Sequence, residues 1–190
     1  MSTFAEVVRS RAGDERIGLP LGDDRWMWDQ IMQESADRAS VAGRSADRLR
    51  VDSENFAAGP VERIINRWDK VLVSLVYAVP DPRTGDQVMC ALQMAGGVEF
   101  VPDEFTAFLD AQPDLGTKWR PRFVRLIDRV PTTASNKVAK TSLRREGWVS
   151  SDPVFWRSGT ETTYRLLDGR QHDALAAEFA DHGRTTLLPT

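Results

Sequence analysis

Residues 131–140 read PTTASNKVAK, which sets Lys137 in a short run of hydroxyl and amide side chains between a strand-like segment and a helix-like one. A lysine so placed offers a compact ammonium on a long stem, with donors that rotate to meet a carboxylate or a phosphate. The spacing alone fits a solvated surface charge just as well. A second polar segment, GRSADRLRVDSENFAAGPVE (43–62), carries Arg44, Asp47, Glu54, Asn55 and Glu62. A third, KWRPRFVRLIDR (118–129), is basic and aromatic. Its Arg122, Arg125 and Arg129 alternate too imperfectly for one stripe, and no nucleic-acid-binding signature accompanies them, so they read as a solvated strand face and nucleic acid is not an expected partner. Cys90 is the single cysteine, which excludes an intrachain disulfide, and neither a CxxC pair nor a Cys/His cluster points to a metal. His172 and His182 have no partners at motif spacing and carry no assigned role, while Trp68, Trp119 and Trp148 read as packing residues.

The elements that must position these residues come from an ordinary globular composition. With 190 residues, 41% hydrophobic and 28% charged, disordered and fibrous classes are excluded. A net charge of -3 gives no general field toward nucleic acid or anionic membrane. The N-terminal MSTFAEVVRSRAGDER is amphipathic and lacks an apolar leader core. No run approaches the roughly 20 apolar residues of a membrane span, so a cytoplasmic protein without a transmembrane segment is expected.

Thr3 and Glu6 have the spacing of a helix capping box, IGLPLGDDRWMW (17–28) reads as two short strands around a Gly-Asp-Asp turn, and Trp28, Ile31, Met32, Ala36 and Ala39 recur at helical spacing. From Gly43 the pattern changes. DRLRV (47–51) reads as a strand and Pro60 as the opening turn of a helix through VERIINRWDK. VLVSLVYAV (71–79) and QVMCALQMA (87–95) flank a Pro-Asp-Pro-Arg-Thr-Gly-Asp turn and predict a hairpin. PDEFTAFLDAQ (102–112) is a helix, RFVRLIDRV (122–130) a strand and TSLRREGW a short helix, and the tail adds a strand YRLL and a helix QHDALAAEFADH. The expected fold class is α+β, a small mixed sheet with packed helices, preceded by a helix-hairpin-helix piece.

Two of these segments resemble motifs of the adenylate-forming acyl-CoA synthetases, the fatty-acid–CoA ligases. GRSADRLRVDSENFAAGPVE is similar to the segment joining their two domains, and PTTASNKVAK, with its lysine six positions after a proline, is similar to their C-terminal motif. Residues 1–42 resemble the opening of their large N-terminal domain, through the first helix, the Trp-x-Trp strand pair and WDQIMQESADRAS. The resemblance implies three parts: 1–42 as a piece of the N-terminal adenylation domain, 43–150 as the C-terminal lid domain, and 151–190 as an extension. A Ser/Thr/Gly-rich phosphate loop ending in lysine does not occur between them, so the central adenylation core is expected to be missing.

What the family does sets the remaining expectations. The parent reaction is ATP-dependent adenylation of a fatty acid followed by thioester formation with CoA, with Mg²⁺. By resemblance Lys137 is the catalytic lysine that reaches the acyl carboxylate and the α-phosphate, although Asn136 stands where most relatives have glycine. Arg44 corresponds to the arginine beside the nucleotide ribose, and Glu54 and Asn55 to the loop that moves toward the pantetheine tunnel. Asp47 follows the hinge position, held here by Ala46. Fatty acid, ATP and CoA are then partners of the parent enzyme, none expected to bind this fragment tightly. Stand-alone activity is not expected. Two other readings stay open: a binding module that docks on another acyl-CoA synthetase chain, and a gene remnant.

Overall fold

The computed structural model describes residues 17–21, 24–27, 48–51, 54–83, 85–132 and 138–189, and it divides the chain into two compact units, Met1–Arg44 and Ser45–Thr190. In the first unit β1 (Ile17–Leu21) and β2 (Asp24–Met27) pair antiparallel, as the sequence predicts, and residues 22–23 of the expected turn lie outside the described residues. The helices expected on either side of it, with the apolar face of Trp28, Ile31 and Met32, lie outside the described residues.

The second unit begins with an antiparallel hairpin of β3 (Arg48–Val51) and β4 (Glu54–Ala57). The sequence reading foresaw β3 alone, because Glu-Asn-Phe-Ala shows no alternation long enough to mark a strand. Helix α1 (Ala58–Ile65) follows, starting two residues before the proline taken as its first turn. Strands β5 (Val71–Pro80) and β6 (Asp86–Met94) form the predicted hairpin. Helix α2 (Pro102–Asp110) then crosses over so that β7 (Phe123–Leu126) lies parallel to β6. A connection of that kind needs a helix-length crossover, which PDEFTAFLDAQ supplies. Strand β7 is shorter than RFVRLIDRV suggested. After α3 (Lys140–Glu146) the tail adds β8 (Val154–Trp156) against β7, β9 (Arg165–Leu166) against β8, and α4 (Gly169–Asp181). The result is a mixed five-stranded sheet in the order β5-β6-β7-β8-β9, so the α+β class holds.

Both faces of the central strands are covered, which is why β5 and β6 read as nearly continuous apolar runs. On one face Val76, Ala78, Val88, Cys90, Leu92 and Val124 pack with Leu49 and Phe56 of the β3–β4 hairpin, Val61 and Ile65 of α1, and Phe105 and Leu109 of α2. Trp68 joins them between Phe105 and Phe108, with centroids at 5.1 and 5.8 Å. On the other face Leu75, Tyr77, Val79, Met89, Ala91 and Phe123 meet Leu143 of α3, Trp148, and Leu175 and Phe179 of α4. Trp148 stands between Phe123 at 5.1 Å and Phe179 at 5.6 Å. Each such side chain, fully buried, contributes about 1.5–3 kcal/mol by removing apolar area from water. Helix α4 is fixed at its start by a reciprocal cap: the Gln171 N–H donates to Asp168 Oδ1 at 2.8 Å, and the Asp168 N–H donates to Gln171 Oε1 at 3.0 Å. Among the described residues no helix is long and apolar enough to cross a membrane.

The β3–β4 hairpin is held to the β5–β6 turn at one close approach. Gly85 has φ +62°, and a Cβ there would lie 2.7 Å from the carbonyl oxygen of Arg50. The Arg50 N–H meanwhile donates to Asp86 Oδ2 at 3.2 Å. Gly97 has φ +77° but open space around it. Forcing a β-carbon into the left-handed region costs about 1–2 kcal/mol, and only Gly85 adds a backbone clash. Gly85→Ala is therefore expected to lower the melting temperature by several degrees more than Gly97→Ala, at roughly 2–4 °C per kcal/mol; equal losses in a thermal melt would contradict the close approach.

Candidate functional site

A sheet edge leaves a row of N–H groups that must find acceptors if it is covered. Helix α1 covers the free edge of β5 and supplies them from its polar side. The Ser74 N–H donates to Asn66 Oδ1 at 2.9 Å, the Val76 N–H to Glu62 Oε1 at 2.7 Å, and the Ser74 hydroxyl to the Glu62 carbonyl at 3.2 Å. The same Glu62 Oε1 lies 2.8 Å from the Lys140 ammonium, and each side chain is only about one-fifth exposed. Glu62 ends the segment 43–62 and Lys140 ends the segment 131–140, so the fold joins the two segments that the sequence singled out. Lys140 is also the first residue of α3, where the positive end of the helix disfavours a cation. The Glu62 carboxylate offsets that cost.

The chain between these anchors forms a closed neck. Thr132 and Val138 make an antiparallel bridge, the Ala139 N–H donates to the Pro131 carbonyl at 2.8 Å, and the Ser142 hydroxyl donates to the Ala139 carbonyl at 3.0 Å. Residues 133–137, with Asn136 and Lys137, lie outside the described residues, as do Arg44, Ala46 and Asp47. Loss of the Lys140–Glu62 pair is expected to cost about 1–2 kcal/mol, since each partner is mostly buried and charged. A double-mutant cycle of Lys140→Met and Glu62→Gln in denaturant should show a coupling of about 1 kcal/mol, and additivity would mean the pair contributes nothing.

Glu54 and Asn55 sit side by side on exposed β4, opposite Val51 and Arg50. Glu54 does not stand free. Its carboxylate accepts from Trp119 Nε1 at 3.3 Å and pairs with the Lys118 ammonium at 3.8 Å, while the Trp119 ring stacks on Phe56 at 5.5 Å. Lys118 opens a groove of about 740 Å³ whose walls include Arg120, Arg122, Trp156 and Arg157. Arg120 pairs with Asp110 at 2.6 Å, and across the groove Arg83 pairs with Glu178 at 3.0 Å. Burial, and after it the nearby Arg157 charge, pull the Arg122 guanidinium below its ordinary pKa. The grouping of these cations was missed in the sequence, where the signal was the two-residue spacing of Lys118, Arg120 and Arg122. Among the described residues no cluster of three or more His, Cys, Asp or Glu is placed to hold a metal, and no Mg²⁺ ligand is assigned.

Comparison with known proteins now places this geometry. The AMP-binding enzyme C-terminal domain family matches residues 60–137, which contain the covered sheet edge and the Lys118–Arg122 side of the groove and end within the 131–140 segment. Residues 60–137 belong to that family. The chain is 45% identical over 166 residues to the steroid-22-oyl-CoA synthetase of Rhodococcus jostii, covering 86% of this chain and 30% of that protein. It is 45% identical over 127 residues to the medium/long-chain-fatty-acid–CoA ligase FadD17 of Mycobacterium tuberculosis, covering 67% of this chain and 25% of the relative. The chain thus spans under a third of the length of these curated relatives. Among solved structures, the coronafacic acid ligase of Pectobacterium brasiliense superposes with a TM-score of 0.51 at 16% identity, over 60% of this chain and 22% of the ligase, which supports the fold.

Within the AMP-binding C-terminal domain one sequence expectation is overturned. Arg125, read as part of a solvated strand face, is 6% exposed. Strand β7 is covered on both sides, so alternation does not bring its charges to water. Arg125 instead donates from Nε to Asp152 at 2.8 Å and from Nη2 to Glu146 at 2.7 Å, tying the end of α3 and the approach to β8 to the middle of the sheet. The phenol of Tyr77 lies in the same layer and is held far above its ordinary pKa, first by burial. Arg125→Met would leave two carboxylates without their cation, at a cost of roughly 3 kcal/mol, the low end for a buried pair because each carboxylate is about one-third exposed. Chemical denaturation should show that loss with an unchanged m-value, whereas Arg129→Met is expected to change stability by less than about 0.5 kcal/mol.

Proposed function

We propose that this chain is the lid part of an acyl-CoA ligase acting on a fatty or steroid-type carboxylic acid. In the reaction of such an enzyme, a carboxylate oxygen attacks the α-phosphorus of ATP, a new P–O bond forms and pyrophosphate leaves. The thiol of CoA, losing its proton to solvent, then attacks the acyl carbon and AMP leaves. Lys137 is the residue that brings positive charge to the first step, where two anions must approach. At about 4 Å and an effective dielectric near 20, one such charge is worth roughly 4 kcal/mol as an upper figure, or about three powers of ten in rate. Arg44 is assigned to the ribose, and Glu54 and Asn55 to the CoA side.

The observation that carries this reading is the joining of the two motif segments through Glu62 and Lys140, at either end of the stretch that matches the family. Thr132 and Val138, which flank the segment holding Lys137, are themselves paired as an antiparallel bridge. The CoA side is supported by Glu54, which holds Lys118 at the entrance of a groove lined by Arg120 and Arg122, chemistry suited to the phosphates of CoA. These 190 residues contain no Ser/Thr/Gly-rich phosphate loop ending in lysine, so we assign them no adenylation by themselves. A lid supplied in trans would still need an interface, since a covalent tether otherwise provides an effective concentration in the mM range.

The purified chain with ATP, Mg²⁺, fatty acids or steroid acids and CoA is expected to release no AMP above background. Added to a related ligase from which the C-terminal domain has been removed, it should raise acyl-adenylate formation, and Lys137→Ala should abolish the gain. Turnover by the chain alone would refute its dependence on a separate core. A gain that survives Lys137→Ala would refute the role of the lysine.

A further inference from the structure

The groove beside Glu54 is built partly by the tail. Strand β8 brings Trp156 opposite Phe123, and the Arg157 N–H donates to the Arg122 carbonyl at 3.0 Å. A turn follows in which the Glu161 N–H donates to the Ser158 carbonyl at 2.9 Å, with Gly159 at φ +47°. The Arg122 guanidinium donates to the Gly159 carbonyl at 2.5 Å, and that of Arg157 to the Glu161 carbonyl at 3.0 Å. The Tyr164 hydroxyl donates to the Pro121 carbonyl at 2.6 Å and fixes the basic segment from below. The tail therefore orders Arg120–Arg122 as well as adding a cation to them.

The cations around the groove fall into two kinds. Arg83, Lys118 and Arg120 each have a carboxylate partner, in Glu178, Glu54 and Asp110. Arg122 and Arg157 have only backbone carbonyls among the described residues, and the buried Nε of Arg157 has no hydrogen-bond partner there. The acids of the groove are occupied: Asp81 accepts from the Arg83 N–H and from the Gln87 amide, and Asp86 from the Arg50 N–H. Asp81 and Glu178 act on the Arg122 charge from a distance, but among the described residues no carboxylate bonds directly to Arg122 or Arg157, and these two neighbouring guanidiniums, next to the hydroxyls of Thr117, Ser158 and Thr160, make a recess for a tetrahedral dianion.

We propose that Arg157, supplied by the tail, pairs with Arg122 to bind a phosphomonoester, and so selects ligands that carry a terminal, doubly charged phosphate. This rests on the CoA side of the reading above. CoA carries one phosphomonoester besides its pyrophosphate bridge, and dephospho-CoA lacks it. At neutral pH only the monoester approaches two charges on one phosphorus, because its second pKa is near 6.

Titration calorimetry on the whole chain with CoA, dephospho-CoA and inorganic pyrophosphate separates the possibilities. Wild type should prefer CoA over dephospho-CoA, and Arg157→Gln should weaken CoA about tenfold or more while leaving dephospho-CoA unchanged. Arg157→Lys should recover part of the loss, and matching thermal melts show that the variants are folded. CoA binding that is indifferent to Arg157→Gln, or an equal loss for both nucleotides, overturns the role of Arg157 while leaving the CoA reading standing. Pyrophosphate binding that depends on Arg157, without CoA binding, supports the anion recess and overturns the CoA reading. Absence of binding by all three ligands overturns both.

Discussion

One carboxylate oxygen holds the architecture of the second unit together. Glu62 Oε1 accepts the Val76 N–H at the open edge of the sheet and meets the Lys140 ammonium at the start of α3. A sheet edge covered by a helix would otherwise bury unpaired donors, and a lysine opening a helix would otherwise face the positive end of its dipole. Each problem is resolved by the other's partner. Helix α1, strand β5 and helix α3 are therefore fixed as a set, and the neck at Thr132 and Val138 inherits its position from them.

Around that point the molecule is a three-layer packing problem. Strands β5 and β6 send alternate residues to two different sets of helices, so each strand is apolar along its length, and a substitution in it is felt in one layer only. The tail completes the second layer through Leu175 and Phe179, and it continues the sheet beyond β7. The sheet and the tail thus share one hydrophobic interior. The groove beside Glu54 lies where their polar edges meet, which is why its cations come from both.

Much of this was legible in the residues. The β-branched run at 71–79, its partner at 87–95 and the proline-rich turn between them specify a hairpin almost without context, and the motif pair at 43–62 and 131–140 led to the family to which residues 60–137 belong. Arg125 was misread because an arginine in a short strand normally marks the wet face, and nothing local shows that Glu146 and Asp152 will close on it. Strand β4 was missed because four residues, three of them exposed, give no period, and it is recognised only by its pairing with β3. The groove was invisible for a similar reason: Arg122 and Arg157 are 35 positions apart in the sequence, and only the β7–β8 pairing makes them neighbours. Lys137 and Arg44 remain assignments from resemblance, with only the neck beside Lys137 placed by the fold.

The strand order of the sheet has a bearing on how the molecule is made. Its five strands lie side by side in the order in which they occur in the sequence. A ribosome releasing this chain can add each strand to an edge already formed, without leaving a gap to be filled later. For the interval between the emergence of β7 and that of β8, however, β7 is the growing edge, with open backbone donors and Arg125 still lacking Asp152. During that interval the nascent chain is open to pairing with a neighbour on the same messenger.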